Sequence, residues 1–314
     1  HALRVFFDEP AHASCALSMH LDKRAMDPTN SNYVGEVFLL GADTGTYRQY
    51  LYPLLISLVH DLTGYRVANA FVVNALLTPL LLLAAYLSVW RLAGKLAGWT
   101  ALGLLGTLPL LAQNVTSGGY DVLALALQAC LLLFTLEYAR APAERRPALM
   151  NLSLAAALLL AVSRYESVLY LIPWAVVAVV LWWRERRITV TWFAAISPVF
   201  LLPNLMSGLR MMNDTATMYT HLRPHGEPFF SLAYLPVHLP GALYYFFSIG
   251  TGHSNHFLLS LFGGIGGVGL LVTLAGAWRR KTVGSEAAVV GLFSVFSALV
   301  YLFVLTMFWS DPND

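Results

Sequence analysis

Hydrophobic segments of membrane-spanning length recur along this 314-residue chain, and they restrict its fold more than any other feature. A helix needs about 20 mostly apolar residues to cross a hydrocarbon core about 30 Å thick. Eight segments approach that requirement. They are Arg66–Trp90, Gly98–Gln113, Tyr120–Tyr138, Ala148–Val162, Ser167–Trp183, Thr189–Leu205, Phe257–Trp278 and Ala287–Trp309. Since 58% of the residues are hydrophobic and only 11% charged, the sequence predicts an all-α polytopic membrane protein.

The basic residues predict which way the chain crosses the membrane, because short cytoplasmic loops carry an excess of Lys and Arg. Every second link between the segments contains such a cluster. These links hold eleven of the nineteen Lys and Arg residues: Arg91, Lys95, Arg140, Arg145, Arg146, Arg184, Arg186, Arg187, Arg279, Arg280 and Lys281. The N-terminal segment is therefore expected outside. Because topology accounts for these residues, the net charge of +2 is no indication of nucleic acid binding.

The unequal lengths of the links divide the chain into four regions. These are an outer loop over 1–65, a six-span core over 66–205, a long outer loop over 206–256, and two further spans over 257–314. The first loop contains two stretches of helical character, one starting near Pro10 and one over Tyr50–Leu62, the second expected at the membrane interface. We expect the 206–256 loop to be a lid or acceptor-binding region. We also expect a transmembrane helix, or alternatively a cleaved signal peptide, before His1, and further helices after Asp314.

Three acidic sites that lie far apart in the sequence fall on the outer side. Asp8 and Glu9 begin the first loop, while Asp121 and Glu166 lie at the outer ends of spans. A carboxylate in such a position can deprotonate an acceptor hydroxyl or hold a divalent metal ion. Helix capping by Asp8 and dipole stabilisation of Asp121 are the alternative explanations. The gathering of these carboxylates at one mouth of the bundle favours a membrane enzyme.

Two arginines on the same side are candidates for binding a phosphate. Arg48 precedes the interfacial stretch and Arg164 lies two residues before Glu166. The planar guanidinium forms a fork that suits phosphate oxygens, although snorkelling to ordinary headgroups explains Arg48 equally well. Tyr52 suits the headgroup level, and we include it with Glu166 as a candidate substrate-binding residue.

Other possible ligands and crosslinks give weaker signals. The spacing His221-x3-His225-x-Glu227 permits a zinc site in principle, but surface histidines are the ordinary explanation. Cys15 belongs to the outer loop and Cys130 to a span, so no disulfide is expected. Gly263 and Gly267 form a small-xxx-small pattern, which is typical of close helix packing.

Four motifs occur in the order found in the GT-C glycosyltransferases, membrane enzymes that use polyprenyl-phosphate-linked sugars. They are the DE pair of FFDEPAH, then YLYPLLISLVHDLTGYRVANAFVVNAL, SGGYDVLALAL and SRYESVLYLIPW. Residues 1–185 resemble this family, and especially its lipopolysaccharide galacturonosyltransferase-like and protein-mannosyltransferase-like branches. The resemblance implies that Asp8 is the catalytic base, Glu9 its partner and Asp121 the second acidic residue. Arg48 falls near a basic residue that contacts the lipid phosphate in relatives.

The resulting hypothesis is inverting sugar transfer from a polyprenyl-phosphate donor to the hydroxyl of a lipid, glycan or protein acceptor. It would occur on the periplasmic side of a bacterial inner membrane, and a divalent cation such as Mg²⁺ or Mn²⁺ is left open as a cofactor. Two rivals remain: a transporter of a lipid-linked substrate, and a catalytically silent accessory subunit of a membrane complex. A transporter should have polar residues or broken helices near the bilayer midplane. The predicted spans are almost entirely apolar, which favours an enzyme.

Overall fold

A computed structural model describes residues 9–26, 32–34, 37–39, 49–206, 231–247, 257–279 and 285–307. The regular secondary structure of these residues is helical apart from one short antiparallel hairpin, in which Asn32–Val34 (β1) pairs with Val37–Leu39 (β2). The α-helices are α1 Glu9–Asp22, α2 Leu51–Thr63, α3 Asn69–Ala93, α4 Lys95–Gly106, α5 Pro109–Val115, α6 Asp121–Arg140, α7 Arg146–Ala161, α8 Leu171–Glu185, α9 Trp192–Ile196, α10 Leu235–Phe247, α11 Phe257–Arg279 and α12 Ser285–Met307. Short 3-10 helices span Glu166–Tyr170, Ser197–Leu201 and Leu232–Tyr234. The predicted helical class is confirmed.

Each of the eight predicted spans coincides with helical structure, but their number is only approximate. Within the described residues, three helical stretches are long and apolar enough to cross a membrane, namely Asn69–Ala93, Asp121–Arg140 and Glu166–Glu185. A fourth qualifies if α4 and α5 count as one span. Shorter apolar helices include Leu51–Thr63 and Arg146–Ala161.

The predicted span Gly98–Gln113 is broken rather than continuous. α4 and α5 meet at an angle of 65°. Pro109 begins α5, and Leu108 before it adopts an extended conformation, as a residue preceding proline prefers. The sequence predicted one continuous span here because the residues on both sides of the break are apolar.

The core of the bundle is α6, which packs against α3, α7, α8 and α12. Leu131 and Leu136 of α6 have no exposed surface, and neither have Ala157 and Ala161 of α7. Small residues at these contacts let helix backbones approach closely. Many apolar side chains on the outside of the bundle are exposed, such as Val179 at 56%. An apolar exterior suits a membrane protein, whose spanning helices face hydrocarbon.

The path of the chain through α6, α7 and α8 gives the bundle two chemically distinct ends. α6 runs from Asp121 to Arg140, α7 returns from Arg146, and the next helical stretch starts at Glu166. We call the end with Glu9, Asp121 and Glu166 the acidic end. The opposite end, which we call the basic end, carries those residues of the predicted Arg clusters that the structure describes, together with carboxylate partners. The ion pairs among these described residues are Arg91–Glu137 (3.0 Å), Arg140–Glu286 (2.7 Å) and Arg146–Glu185.

Both helical stretches predicted in the first loop are present. α1 begins at Glu9, directly before Pro10, which suits the first turn of a helix. α2 covers the predicted interfacial stretch and packs against α1. Its position in a membrane remains a prediction, as do the four regional boundaries.

Two smaller expectations stay predictions. Cys15 and Cys130 are both buried, Cys15 on α1 and Cys130 on α6, and the structure does not test whether they form a disulfide. A Cβ atom at Gly263 or Gly267 would meet no atom within 4 Å in the described part of the chain. Close packing on these glycines therefore remains a prediction.

Candidate functional site

The turn Ser117-Gly118-Gly119-Tyr120 joins α5 to α6 and forms the floor of the acidic end. Asn74 of α3 is fully buried, and its Nδ2 donates to the carbonyls of Ser117 (2.8 Å) and Gly119 (2.9 Å). Ser117 Oγ accepts the N–H of Gly119 at 3.2 Å. These bonds satisfy backbone groups that a turn would otherwise leave unpaired. They hold the turn in one position relative to α3.

Glu9 connects the first helix to this turn. Its side chain is buried at 8% exposure, and Oε1 accepts the backbone N–H of Gly118 at 2.9 Å. A Cβ at Gly118 would lie 3.5 Å from Oε2 of Glu9, so the carboxyl group packs directly onto the turn. The hydrogen bond joins residues 109 positions apart. The start of α1 is therefore fixed next to the start of α6.

Three rings form an aromatic layer beside Glu9. The His12 ring lies 4.8 Å from Tyr120 and 5.7 Å from Tyr52, both edge to face. His12 is 2% exposed and Tyr52 1%. The Tyr52 hydroxyl donates to the carbonyl of Ala70 at 3.2 Å. Burial, together with the negative charge of Glu9, raises the pKa of the Tyr52 phenol, so this group remains a neutral hydrogen-bond donor.

Arg164 holds two carboxylates at the mouth of the site. Its Nη1 lies 2.5 Å from Oδ1 of Asp121, and its Nε lies 2.5 Å from Oε1 of Glu166. The guanidinium carbon lies 5.0 Å from the centre of the Tyr120 ring, within the range of a cation–π contact. The three charged side chains are 26–44% exposed. One cation faces two anions, so this group carries a net negative charge open to solvent.

The structure brings together five of the seven residues that the sequence singled out. Glu9 and Tyr52 lie in the buried part of the site, while Asp121, Arg164 and Glu166 lie at its mouth. Asp8 and Arg48 lie outside the described residues.

The surroundings of Tyr52 and Arg164 differ from their predicted settings. Tyr52 faces the interior rather than a headgroup layer, because it belongs to the buried face of α2 with Ile56 and His60. The predicted phosphate ligand Arg164 is engaged by the two carboxylates. A phosphate would have to replace one of these carboxylates at the guanidinium in order to bind Arg164.

Two hydrogen bonds fix the start of α2 near this mouth. Gln49, which follows Arg48 in the sequence, is buried, and its Nε2 donates to Oδ1 of Asn204 at 2.7 Å. Asn204 Nδ2 in turn donates to the carbonyl of Ala161 at 2.8 Å. Ala161 ends α7, three residues before Arg164. The chain at position 49 is thereby fixed to the helix end that leads to Arg164.

Sequence reasoning missed His12, Asn74 and Tyr120. His12 follows Glu9 by three positions, a spacing that places both side chains on one helix face, so a signal for it was present. Asn74 interrupts an apolar span, which marks a polar residue with a specific role. Its partners lie more than 40 positions away, and the sequence gives no indication of them.

No cation site is evident among the described residues, where no three His, Cys, Asp or Glu side chains converge. The positive charge between Asp121 and Glu166 is the guanidinium of Arg164. The residues of the weak zinc pattern, His221, His225 and Glu227, lie outside the described part of the chain.

Comparison with known proteins identifies a similar fold. No protein-family model matches the chain, and a search of curated proteins gave no match. Among solved structures, ArnT from Cupriavidus metallidurans bound to undecaprenyl phosphate is similar over 96% of this chain, with a TM-score of 0.58 and 16% identity. The apo state of ArnT is similar over 98% of this chain, with the same TM-score and 15% identity. The chain spans 52% of the length of each ArnT chain. This likeness confirms the predicted fold class, a GT-C-like helical bundle.

Proposed function

We propose that this chain belongs to a membrane glycosyltransferase that transfers a sugar from a polyprenyl-phosphate donor to an acceptor hydroxyl. The observation that carries the proposal is the convergence of Glu9, Asp121, Arg164 and Glu166 at one end of the bundle. They come from three separate parts of the chain. The fold is similar to that of ArnT, which has been crystallised with undecaprenyl phosphate. The acidic end faces the periplasm of a bacterial inner membrane in this proposal, because the Arg clusters lie at the opposite end.

Asp8 is the proposed general base. The acceptor oxygen forms a bond to the anomeric carbon, the bond from that carbon to the phosphate oxygen breaks, and the hydroxyl proton passes to Asp8. Polyprenyl phosphate leaves, and the anomeric configuration inverts. Such a base contributes typically about 10²- to 10⁴-fold to the rate. Because Glu9 is fixed to the turn that precedes Asp121, the two acidic positions belong to neighbouring parts of the site.

The donor phosphate is assigned to Arg48 and Arg164 at the acidic end. Arg48 precedes Gln49, whose side chain is anchored near the end of α7, and Arg164 follows that helix end by three positions. Arginine binds phosphate through a planar pair of charge-assisted hydrogen bonds. Arg164 also orients Asp121 and Glu166, so Glu166 is assigned to the substrate that enters beside it, and the buried Tyr52 is assigned to the support of the site from behind. The isoprenoid tail would follow the apolar exterior of the helices.

A transporter of a lipid-linked substrate is the second candidate, and one observation favours it. The break between α4 and α5 is the kind of discontinuity that transporters use to build a site within the membrane. A polar cluster of Gln128, Tyr170 and Ser297, joined by bonds of 2.9–3.1 Å, also lies inside the bundle. Neither feature carries a charged group, whereas the charges of the acidic end gather at a mouth.

Binding of undecaprenyl phosphate to the detergent-purified protein, titrated by native mass spectrometry, tests the proposal. Arg48→Ala and Arg164→Ala are compared with wild type, and Arg145→Ala serves as a control, since Arg145 is an exposed arginine at the basic end. Loss of charge-assisted hydrogen bonds should weaken binding about 10- to 100-fold in at least one of the first two variants and leave the control unchanged. Binding no tighter than that of an ordinary anionic phospholipid would instead support an accessory subunit. Saturable binding without release of polyprenyl phosphate from any sugar donor would support transport.

A further inference from the structure

A groove at the basic end combines apolar walls with three arginines. It has a volume of about 750 Å³ and lies where α8 ends. Val179, Val180 and Trp183 supply apolar walls, and Arg184, Arg186 and Arg187 supply the charge. α8 itself, at about 1.5 Å per residue, separates this groove from Glu166 and the acidic end. The groove is therefore distinct from the proposed catalytic site.

The three arginines of the groove have no carboxylate partner among the described residues. Elsewhere at the basic end, Arg91, Arg140 and Arg146 each pair with a glutamate. Glu185 lies between the groove arginines in sequence, but its carboxylate is bound by Arg146 of α7. The positive charge of the groove is therefore not neutralised within the described part of the protein.

α8 ends in a left-handed turn in which arginine occupies the position where glycine is usual. Arg186 has φ 52° and ψ 29°, the left-handed conformation that usually follows a helix as glycine. The N–H of Arg187 donates to the carbonyl of Trp182 at 3.2 Å, and that of Arg186 to the carbonyl of Trp183 at 3.3 Å. These two bonds form a Schellman motif, whose residue after the left-handed one is commonly apolar. Arginine occupies both positions here, although neither position favours it for the turn alone.

The walls of the groove favour a lipid over a soluble anion. Trp183 is 79% exposed and Val179 56% exposed, and both continue the apolar exterior of α8. Tryptophan prefers the boundary between headgroups and hydrocarbon, and basic pockets at that boundary bind anionic headgroups. We propose that this groove binds an anionic phospholipid of the adjacent leaflet, with its phosphate among the guanidinium groups of Arg184, Arg186 and Arg187. Its acyl chain lies along Val179, Val180 and Trp183.

The first test is lipid titration of the whole detergent-purified chain by native mass spectrometry, with phosphatidylglycerol and phosphatidylethanolamine as the two lipids. Arg184→Gln/Arg187→Gln is compared with Lys95→Gln/Arg145→Gln, which removes two exposed basic residues of the same end outside the groove. The groove variant should bind phosphatidylglycerol about 30-fold more weakly, and the control variant should be within about twofold of wild type. Equal losses in the two variants, or equal affinity of wild type for the two lipids, would overturn the proposal.

A single variant distinguishes the role of Arg186 in lipid binding from its role in the turn at the end of α8. Arg186→Gly places the residue that the left-handed position favours, so the midpoint of thermal unfolding should stay the same or rise. Loss of one guanidinium should nevertheless weaken phosphatidylglycerol binding about fivefold. Unchanged affinity with an unchanged or higher midpoint would assign Arg186 to the turn alone and refute the site.

Glycerol 3-phosphate distinguishes the two sources of a phosphate. It carries the headgroup charge without the acyl chains, so a lipid site should retain phosphatidylglycerol in its presence. Displacement of the lipid at an equal concentration of glycerol 3-phosphate would contradict a lipid site and indicate a site for soluble phosphates.

Discussion

The two ends of the bundle use the same residue types in different ratios. At the basic end, each of three arginines pairs with one glutamate on a neighbouring helix, as Arg146 of α7 does with Glu185 of α8. At the acidic end, Arg164 serves both Asp121 and Glu166, and Glu9 binds a backbone N–H rather than a cation. One-to-one pairs hold helices together, whereas an excess of carboxylates around one arginine leaves charge for a substrate. The number of carboxylates around each arginine therefore distinguishes these three structural ion pairs from the proposed catalytic site, whereas residue composition does not.

The largest expected difference between the two ends is in catalysis. Asp8→Asn should lower release of polyprenyl phosphate from sugar donors by about 10²- to 10⁴-fold, because the amide cannot accept the acceptor proton. Glu185→Gln at the basic end should change the same rate by less than about twofold, since its partly exposed ion pair with Arg146 lies at the opposite end of the bundle from the proposed base. Thin-layer chromatography of the released lipid measures both. A folded Asp8→Asn protein with full activity would refute Asp8 as the base.

The second difference concerns stability. Glu9→Ala leaves the buried N–H of Gly118 without its acceptor, which should cost about 1–3 kcal/mol. Glu9→Gln keeps an acceptor oxygen at the same place and should cost less than half as much. Thermal unfolding in detergent gives the comparison. Equal destabilisation by the two substitutions would mean that the charge of Glu9, rather than its hydrogen bond to the turn, holds α1.

The third prediction is that acidification destabilises the contact between α2 and the start of α3. His60 of α2 is buried at 2% exposure, and its Nδ1 lies 2.7 Å from Nδ2 of Asn69, a contact that requires a neutral ring. Burial, and then the neighbouring His20, lowers the pKa of His60. Asp61 opposes this shift, and the Tyr65 ring packs 5.0 Å away.

The sign of the pH effect follows from that lowered pKa. The unfolded chain takes up the proton near its ordinary pKa of about 6.5, before the folded chain does. Stability is therefore complete above that pH and decreases as pH falls toward the folded pKa. The unfolding midpoint of wild type should decrease between pH 7.5 and 5.5, and the decrease should be smaller in His60→Gln. An identical decrease in both proteins would assign the effect to other groups.

The smallest effect is expected at the basic end. The side chains of Arg91 and Glu137 are 52% and 30% exposed, so solvent screens their attraction. Arg91→Gln should cost about 0.2–1 kcal/mol, and added salt should reduce that cost. A loss as large as that of Glu9→Ala would mean that the two ends contribute equally to stability, contrary to the comparison.

The sequence predicted correctly those helices whose position is indicated by the residues of the helix itself. The spans that became α3 and α6 follow from length and hydropathy, and the start of α1 from Glu9 and Pro10. Pro109 itself was a local signal for the bend between α4 and α5, but the continuous apolar sequence around it favoured an unbroken span. The ion pair of Arg164 with Asp121 and the hydrogen bonds of Asn74 with Ser117 and Gly119 join residues more than 40 positions apart. Only the packed helices bring such residues together, so single-sequence patterns do not contain them.

The hydrogen bonds of Asn74 have a consequence for biosynthesis. Asn74 leaves the ribosome 43 residues ahead of Ser117 and 45 ahead of Gly119, whose carbonyls its side chain satisfies. An amide with no partner is costly in hydrocarbon, so α3 is less stable in the bilayer until the turn has been made. We therefore expect α3 to remain in contact with the translocation machinery until α5 and the start of α6 emerge. The helices of this unit should enter the lipid together, and crosslinking of stalled chains to the insertion channel would follow that order.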